Sequence, residues 1–445
     1  MKSFKESIIS KKIVIIGAGK SGLAAVKLLK KLGTRHIFLS EKYRIAESVK
    51  SFLRKNGVWW EEGGHTSRIF SGELVIISPG VNIHTPMISR IKDNLIPMFG
   101  ELELGYRFTS GKIVAVTGTN GKSTVVSLIA DMLKDYTLAG NIGAPLSNFA
   151  GEKRNFILEV SSFQLMSINS FKPDIAVILN IDQDHLDWHK DIKEYISAKK
   201  RIFENQNAED FLVLNMDDPV TKSFSEHARS RVFYFSLREK TNAYVERDTI
   251  ILHIGKERYP LIKTRELKLV GIHNLYNALA ASLAAFLAGG SIENIKSTLK
   301  NFSGLPHRIE FVREINGVKI FNDSKATNPH AVRWALKSFD KNVILILGGE
   351  EKYLDYSTLI KDISEKVKLL VIFGKNAPSL METFKDIVPI YRVKTLEDVV
   401  KTALNLSNPG DVILFSPGTS SFDMFKNYKE RGERFKDEVR RIDIR

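Results

Sequence analysis

The chain contains no cysteine. That absence excludes disulfides, thiolate metal sites and a cysteine nucleophile together. Long apolar runs are missing too. The longest, Ala278 to Ala288, is about half of the ~20 residues that span a bilayer. The polar N-terminus enters an apolar strand at Ile13 without a cleavage-site pattern, so no secretory signal and a cytoplasmic location are expected. Glutamine is confined to Gln164, Gln183 and Gln206 while Lys, Glu and Ile abound, a bias found in thermophile proteins. No internal repeat or low-complexity tract stands out.

Charge is plentiful and unbalanced: 66 Lys and Arg against 51 Asp and Glu give a formal net charge of +15. A nucleic-acid partner is not expected, because the lysines are dispersed among glutamates (Lys256, Glu257, Lys263, Lys268) rather than gathered in a basic tract with aromatics. A small polyanionic substrate suits the sign equally well. At 445 residues the chain is too long for one ordinary core, so two or three domains are expected.

The strongest local signal runs from Ile113 to Thr124. Four apolar residues make a buried strand, Gly118-Thr119-Asn120-Gly121 makes a loop, and Lys122-Ser123-Thr124 opens a helix from about Ser123. Such a unit cradles phosphate: backbone N–H groups and the helix dipole face the anion, the lysine adds a point charge, and the serine can ligate magnesium. The usual pattern has four residues between its glycines; here there are two.

Before it, strand Lys12 to Ile16, the loop Gly17-Ala18-Gly19-Lys20-Ser21-Gly22, helix Leu23 to Leu32 and strand His36 to Leu39 resemble a dinucleotide fingerprint, with Glu41 at the place of an acidic ribose ligand. Strand Glu73 to Ile77 then ends in Ser78-Pro79-Gly80. An NAD dehydrogenase would explain this first domain and leave residues 113–185 unexplained. After the phosphate loop, strand Phe156 to Val160 carries Glu159, and strand Asp174 to Leu179 runs into Asn180, Asp182, Asp184, His185, Asp187 and His189, a set that points to a cation site. Lys199, Lys200 and Arg201 on the next helix read by themselves as a solvated charge run. Strands Phe211 to Asn215, Arg231 to Phe235 and Thr249 to Ile254 alternate and are expected to be antiparallel. Asn274 and Asn277 open an Ala/Leu-rich helix; Asn274 either caps it or, with Asn277, reads a purine edge. From about residue 305, four strands end in small or charged residues (Asp323 with Thr327, Lys352, Lys375 and Ser421) along one edge of a further sheet.

Taken in order, Gly118–Thr124, Glu159-Val-Ser-Ser-Phe-Gln, Asp184-His-Leu-Asp187, His273-Asn-x-x-Asn277, His307-Arg308 and Asn322-Asp-Ser-Lys-Ala-Thr-Asn328 resemble the Mur ligases of peptidoglycan precursor synthesis. The match covers nearly the whole chain and is most similar to the D-glutamate-adding branch. It implies three α/β domains. The first, a Rossmann-like sheet (1–109), would bind the UDP-linked substrate; a central P-loop ATPase-type domain (110–304) would bind ATP; and a Rossmann-like C-terminal domain (305–445) would bind the amino acid. Folylpolyglutamate synthase shares the ATP domain, but residues 12–80 argue against it.

The resemblance further implies a monomeric ATP-dependent amide ligase joining D-glutamate to UDP-N-acetylmuramoyl-L-alanine through an acyl phosphate, with two Mg2+ ions. By this match Lys122 and the loop Gly118–Thr124 hold phosphate; Ser123, Glu159 and His185 form the metal shell. Lys199 is the lysine that the family carbamylates, and Asn141 with His185 lies at the substrate carboxylate. Asn274, Asn277, Arg308 and Asp323 face the nucleotide, which implies domain closure. Gly19, Lys20, Ser21, Glu41, Ser78, Pro79 and Gly80 hold UDP, and Lys352, Ser421, Thr327 and Tyr428 hold D-glutamate. Ser40 stands where relatives often carry Asp, Glu41 where a hydroxyl is common, and Tyr428 where Phe is usual.

Overall fold

The computed structural model describes residues 4–182, 184, 188–269 and 271–442. Its described residues form three sheets. Strands Trp59–Glu62, His36–Glu41, Lys12–Ile16, Leu74–Ile77 and Met98–Gly100 lie side by side in that order, all parallel. The order reverses direction at Lys12–Ile16, so a crevice opens beyond the carboxyl ends of Lys12–Ile16 and Leu74–Ile77. The two loops that begin there are 17–19 and 78–85; the first is shorter than expected, because helix Lys20–Leu32 starts three residues before Leu23.

The second sheet runs Glu257–Lys263, Thr249–Ile254, Ala243–Glu246, Arg231–Phe235, Phe211–Asn215, Ile175–Ile178, Ile113–Thr117, Asn155–Glu159, Tyr136–Gly140. One expectation is corrected here: Phe211–Asn215 and Arg231–Phe235 pair in parallel with each other, and Phe211–Asn215 also with Ile175–Ile178. The reason lies in the connections. Helical segments Ile192–Lys200 and Pro219–Ser223 cross over between successive strands, and a crossover returns the chain in the same direction. Only the outer hairpins, Ala243–Glu246 with Thr249–Ile254 and the latter with Glu257–Lys263, are antiparallel. Ile113–Thr117 is buried along its whole length, as an apolar run between two parallel neighbours demands.

The third sheet runs Glu310–Ile315, Val318–Asn322, Val412–Phe415, Val343–Gly349, Val367–Gly374, Ile390–Arg392. Its last five strands are parallel, and an antiparallel edge strand, Glu310–Ile315, completes it. Apolar clusters cover both faces of the parallel part. By contacts the chain divides into two bodies. Residues 1–265 with 276–299 carry the first two sheets, and residues 266–275 with 300–445 carry the third.

Within the first body, the two sheets are tied by the short helix Glu101–Tyr106. The side chain of Glu103 is fully buried, and it accepts from the backbone N–H groups of Asn169, Ser170 and Phe171, the Ser170 hydroxyl and Arg107 Nε. Burial pushes this carboxyl up, and these donors together bring it below its ordinary range. A sheet junction built on a fully satisfied carboxylate is a rigid one.

Candidate active site

The phosphate-type loop sits where the buried strand Ile113–Thr117 ends and helix Lys122–Met132 begins, one residue before the expected start. Gly118 and Gly121 have φ of 149° and 86°, which side chains avoid. A Cβ on Gly121 would lie 2.3 Å from Asn277 Oδ1, so the loop and the Asn277 amide are packed against each other. The next strand's end braces the loop: Thr119 N–H donates to Asn180 O, Asn120 N–H to Asn180 Oδ1, and Asp182 N–H to Thr119 Oγ1. Lys122 Nζ donates to the carbonyls of Gly118 and Thr119, each at 2.8 Å. Thr124 is buried in the first turn.

Glu159 ends the strand beside this loop. Its Oε2 accepts from Ser123 Oγ and its Oε1 from Asn141 Nδ2, both at 2.7 Å. This carboxylate and hydroxyl are hard oxygen donors of the kind magnesium takes. Among the described residues no three His, Asp or Glu side chains gather as a ready metal cluster. His185 lies outside the described residues.

Lys199 is not part of a solvated run. It is 1% exposed, on the inner face of helix Ile192–Lys200, with Nζ 2.8 Å from Gly118 O and 4.6 Å from the Tyr195 ring centroid. Burial and the neighbouring Lys122 cation hold its pKa well below the ordinary lysine value, against the weaker pull of Asp184 and Glu159. The cation is therefore disfavoured and the neutral, nucleophilic amine favoured. Lys200 and Arg201 are only partly buried, so the three consecutive cations do not share one environment.

At the first sheet's crevice, Gly17 has φ of 104°, and a Cβ there would meet Ser78 Oγ at 2.6 Å. A Cβ on Gly22 would meet Gly17 O at 1.9 Å. Glycine at 17 thus lets the two loops approach, and glycine at 22 lets the helix's first turn close on Gly17. Gly19 precedes helix Lys20–Leu32 without a side-chain cap, leaving Lys20 and Ser21 in the first turn. Glu41 Oε2 accepts from Ala18 N–H at 2.6 Å, so the acidic side chain is anchored on the glycine loop itself. Ser40 is fully buried and bonded to Glu61 and His65. Pro79 and Gly80 lie in the turn after Ser78, which Ser78 closes by bonding Val81 N–H.

In the second body, Asp323 follows strand Val318–Asn322 and accepts from Ser416 Oγ and Ile309 N–H. Burial pushes its carboxyl up to about 7, against the pull of Ser416 and of Arg308. Thr327, Lys352 and Ser421 lie in the loops that follow Val318–Asn322, Val343–Gly349 and Val412–Phe415, which are adjacent parallel strands. These three loops therefore share one edge, as expected. Tyr428 opens helix Tyr428–Arg441, edge-on to His307. Asn274 is not a helix cap: the helix begins at Ile272 and contains it.

Three site residues escape a motif reading. Tyr195 joins its hydroxyl to Thr119 Oγ1 at 3.0 Å; its signal is its place one turn before Lys199 on the same helix face. Asn180, grouped in sequence with the candidate cation site, instead grips Asn120 through both amide atoms. Arg431 is fully buried and donates to Ser324 O, Ser324 Oγ and Thr419 O, fastening two of the three loops. It lies in the run Ser421 to Gly432 that the resemblance includes, but no role follows from that run for Arg431.

A glycine loop with Lys122 and Ser123, a carboxylate on the adjoining strand and two further α/β sheets define a phosphate-binding, multi-domain α/β protein. Comparison with known proteins narrows this. The Mur ligase middle domain matches residues 116–285, the Mur ligase glutamate ligase domain residues 307–418, and the MurD N-terminal domain residues 12–87. Two proteins named UDP-N-acetylmuramoylalanine--D-glutamate ligase align over nearly all of both chains. That of Caldanaerobacter subterraneus is 39% identical, covering 98% of this chain and 99% of its own; that of Aquifex aeolicus is 40% identical, covering 96% and 98%. The solved structure of Thermotoga maritima UDP-N-acetylmuramate-alanine ligase MurC is similar in fold, with a TM-score of 0.56 at 21% identity over 97% of this chain and 99% of that one. The chain belongs to the Mur ligase family.

Proposed function

We propose that the chain is an ATP-dependent amide ligase that joins D-glutamate to UDP-N-acetylmuramoyl-L-alanine in the cytoplasm, as a monomer, in peptidoglycan precursor synthesis. The observation that carries the reading is the buried Lys199 amine bonded to the phosphate loop beside the Ser123–Glu159 pair. The near-full-length likeness to D-glutamate ligases supports the choice of amino acid. Residues 1–109, 110–304 and 305–445 serve as the UDP-substrate, ATP and amino-acid domains.

In this reading the loop Gly118–Thr124 and Lys122 hold the γ-phosphate while an oxygen of the alanyl carboxylate attacks phosphorus and ADP leaves. The D-glutamate amine then attacks the acyl carbon, phosphate departs, and the amine loses a proton. Phosphoryl transfer of this kind needs positioning and charge neutralisation more than covalent help. Two magnesium ions, held by Ser123, Glu159, His185 and a carbamate on Lys199, would supply that neutralisation. The carbamate forms when the neutral Nζ attacks carbon dioxide and releases a proton; an amine alone is a poor partner for a hard cation. Asn141 orients Glu159 and the substrate carboxylate. Asn277 in the first body and Asn274, Arg308 and Asp323 in the second are the candidate nucleotide ligands. The 17–22 and 78–80 segments with Glu41 hold UDP; Lys352, Ser421, Thr327 and Tyr428 hold D-glutamate.

The test is phosphate release with ATP, magnesium, UDP-N-acetylmuramoyl-L-alanine and one amino acid at a time. Release with D-glutamate alone is expected. Release with L-lysine or diaminopimelate but not D-glutamate would overturn the amino-acid assignment, and NADH turnover without release would overturn the ligase reading.

A further inference from the structure

Helix Ile192–Lys200 carries Tyr195 and Lys199 against the phosphate loop, and its other end is held by something the family motifs do not include. Its third residue, Glu194, is doubly fixed: its N–H donates to Asp191 Oδ1 at 2.8 Å, and its Oε2 accepts from Lys190 N–H at 2.9 Å. The same Oε2 lies 2.9 Å from His84 Nε2, and a carboxylate only accepts, so the ring nitrogen donates. His189 Nδ1 approaches the same oxygen at 3.6 Å.

His84 belongs to the first sheet's crevice. It follows Ser78-Pro79-Gly80 in the loop proposed to hold UDP. Asn82 Oδ1 accepts from His84 N–H at 2.8 Å, and Thr85 caps helix Pro86–Asp93 immediately afterwards. The histidine is thus aimed by a rigid turn on one side and a helix start on the other. Its ring packs edge-on to Trp188, which in turn packs on Phe163. Both His84 and Glu194 side chains are 21% exposed, too sheltered to count as an ordinary surface pair.

The covalent path between these residues is long, but the physical one is short. From the 78–85 loop it runs through His84 to Glu194, then along one helix to Tyr195 and Thr119, and to Lys199 and Gly118. We propose that His84 and Glu194 are positioning residues: their bridge sets the helix bearing Lys199 relative to the loop that holds the UDP-linked substrate. This rests on the ligase reading above. A helix held at both ends keeps its amine within the narrow geometry that in-line transfer requires.

The experiment compares steady-state phosphate release by the full chain and by His84→Ala, Glu194→Ala, the double variant and His84→Gln. Glu47→Gln, on an exposed helix, serves as control. His84→Ala and Glu194→Ala are each expected to lower kcat about tenfold, leaving KM for ATP within about twofold, and the double variant to equal either single one. His84→Gln, which keeps a side-chain donor, should recover most of the loss. Wild-type kcat in both single variants would overturn the bridge alone, even with a lowered Tm. So would losses that multiply in the double variant, or no recovery with His84→Gln. No turnover by the wild-type chain would overturn the ligase reading and this inference with it.

Discussion

A lysine buried beside a second lysine cannot rest as an ordinary cation. Lys199 is in that position, and its depressed pKa favours the neutral amine that the proposed carbamylation would consume. Lys199→Ala should lower phosphate release by about 10^3-fold, the scale of losing a metal-linked charge clamp, and short carboxylates added to the assay should restore part of it. Loss that no carboxylate relieves would exclude a carbamate. Asp323 gives a second residue-scale prediction. Its carboxyl is raised to about 7 by burial, so between roughly pH 4 and pH 7 the folded state binds more protons than the unfolded one. Stability of the second body therefore falls as pH rises through that window and then levels. Asp323→Asn keeps an acceptor for Ile309 N–H and a partner for Ser416, and it should flatten that fall; a slope unchanged from wild type would contradict it. At this scale the sequence located Lys199 by its place in a motif, while its neighbours Lys200 and Arg201 made it look like surface. What separates them is which face of one helix meets the core, and three consecutive residues cannot show that until the helix is docked.

Among elements, strand ends were legible and strand directions less so. Apolar runs ending in Gly-Lys-Ser, Ser-Pro-Gly or Ser-Lys-Ala located the loops, because those residue types suit strand-to-helix turns. The parallel pairing of Phe211–Asn215 with Arg231–Phe235 was hidden, since it depends on the helical segments between them rather than on the strands' own alternation. The link between the first two sheets was hidden too. Glu103 looks like one more surface glutamate on a short helix, yet it receives five hydrogen bonds in a buried pocket. Glu103→Gln removes the charge those donors were arranged around and should cost about 3 kcal/mol. Hydrogen exchange should then speed up at residues 101–107 and 169–171 together. Faster exchange in only one of the two segments would mean that Glu103 does not join them.

On the scale of the whole molecule, three nucleotide-type sheets carry three loop sets of different chemistry. The first crevice is lined by glycine and backbone donors suited to a diphosphate. The central loop adds a lysine, a hydroxyl and a carboxylate suited to phosphoryl transfer. The third edge offers Lys352 with the hydroxyls of Ser421 and Thr327, suited to a dicarboxylic amino acid. Among the described residues, no helix is long and apolar enough to cross a membrane. The central claim is that these sets serve one carboxyl-activating ligation, and the oxygen that leaves with phosphate reports on it most directly. With the alanyl carboxylate of UDP-N-acetylmuramoyl-L-alanine labelled with oxygen-18, turnover with ATP and D-glutamate should place one labelled oxygen in each released phosphate. Phosphate released without label would contradict an acyl phosphate and, with it, the account given for Lys122, Glu159 and Lys199.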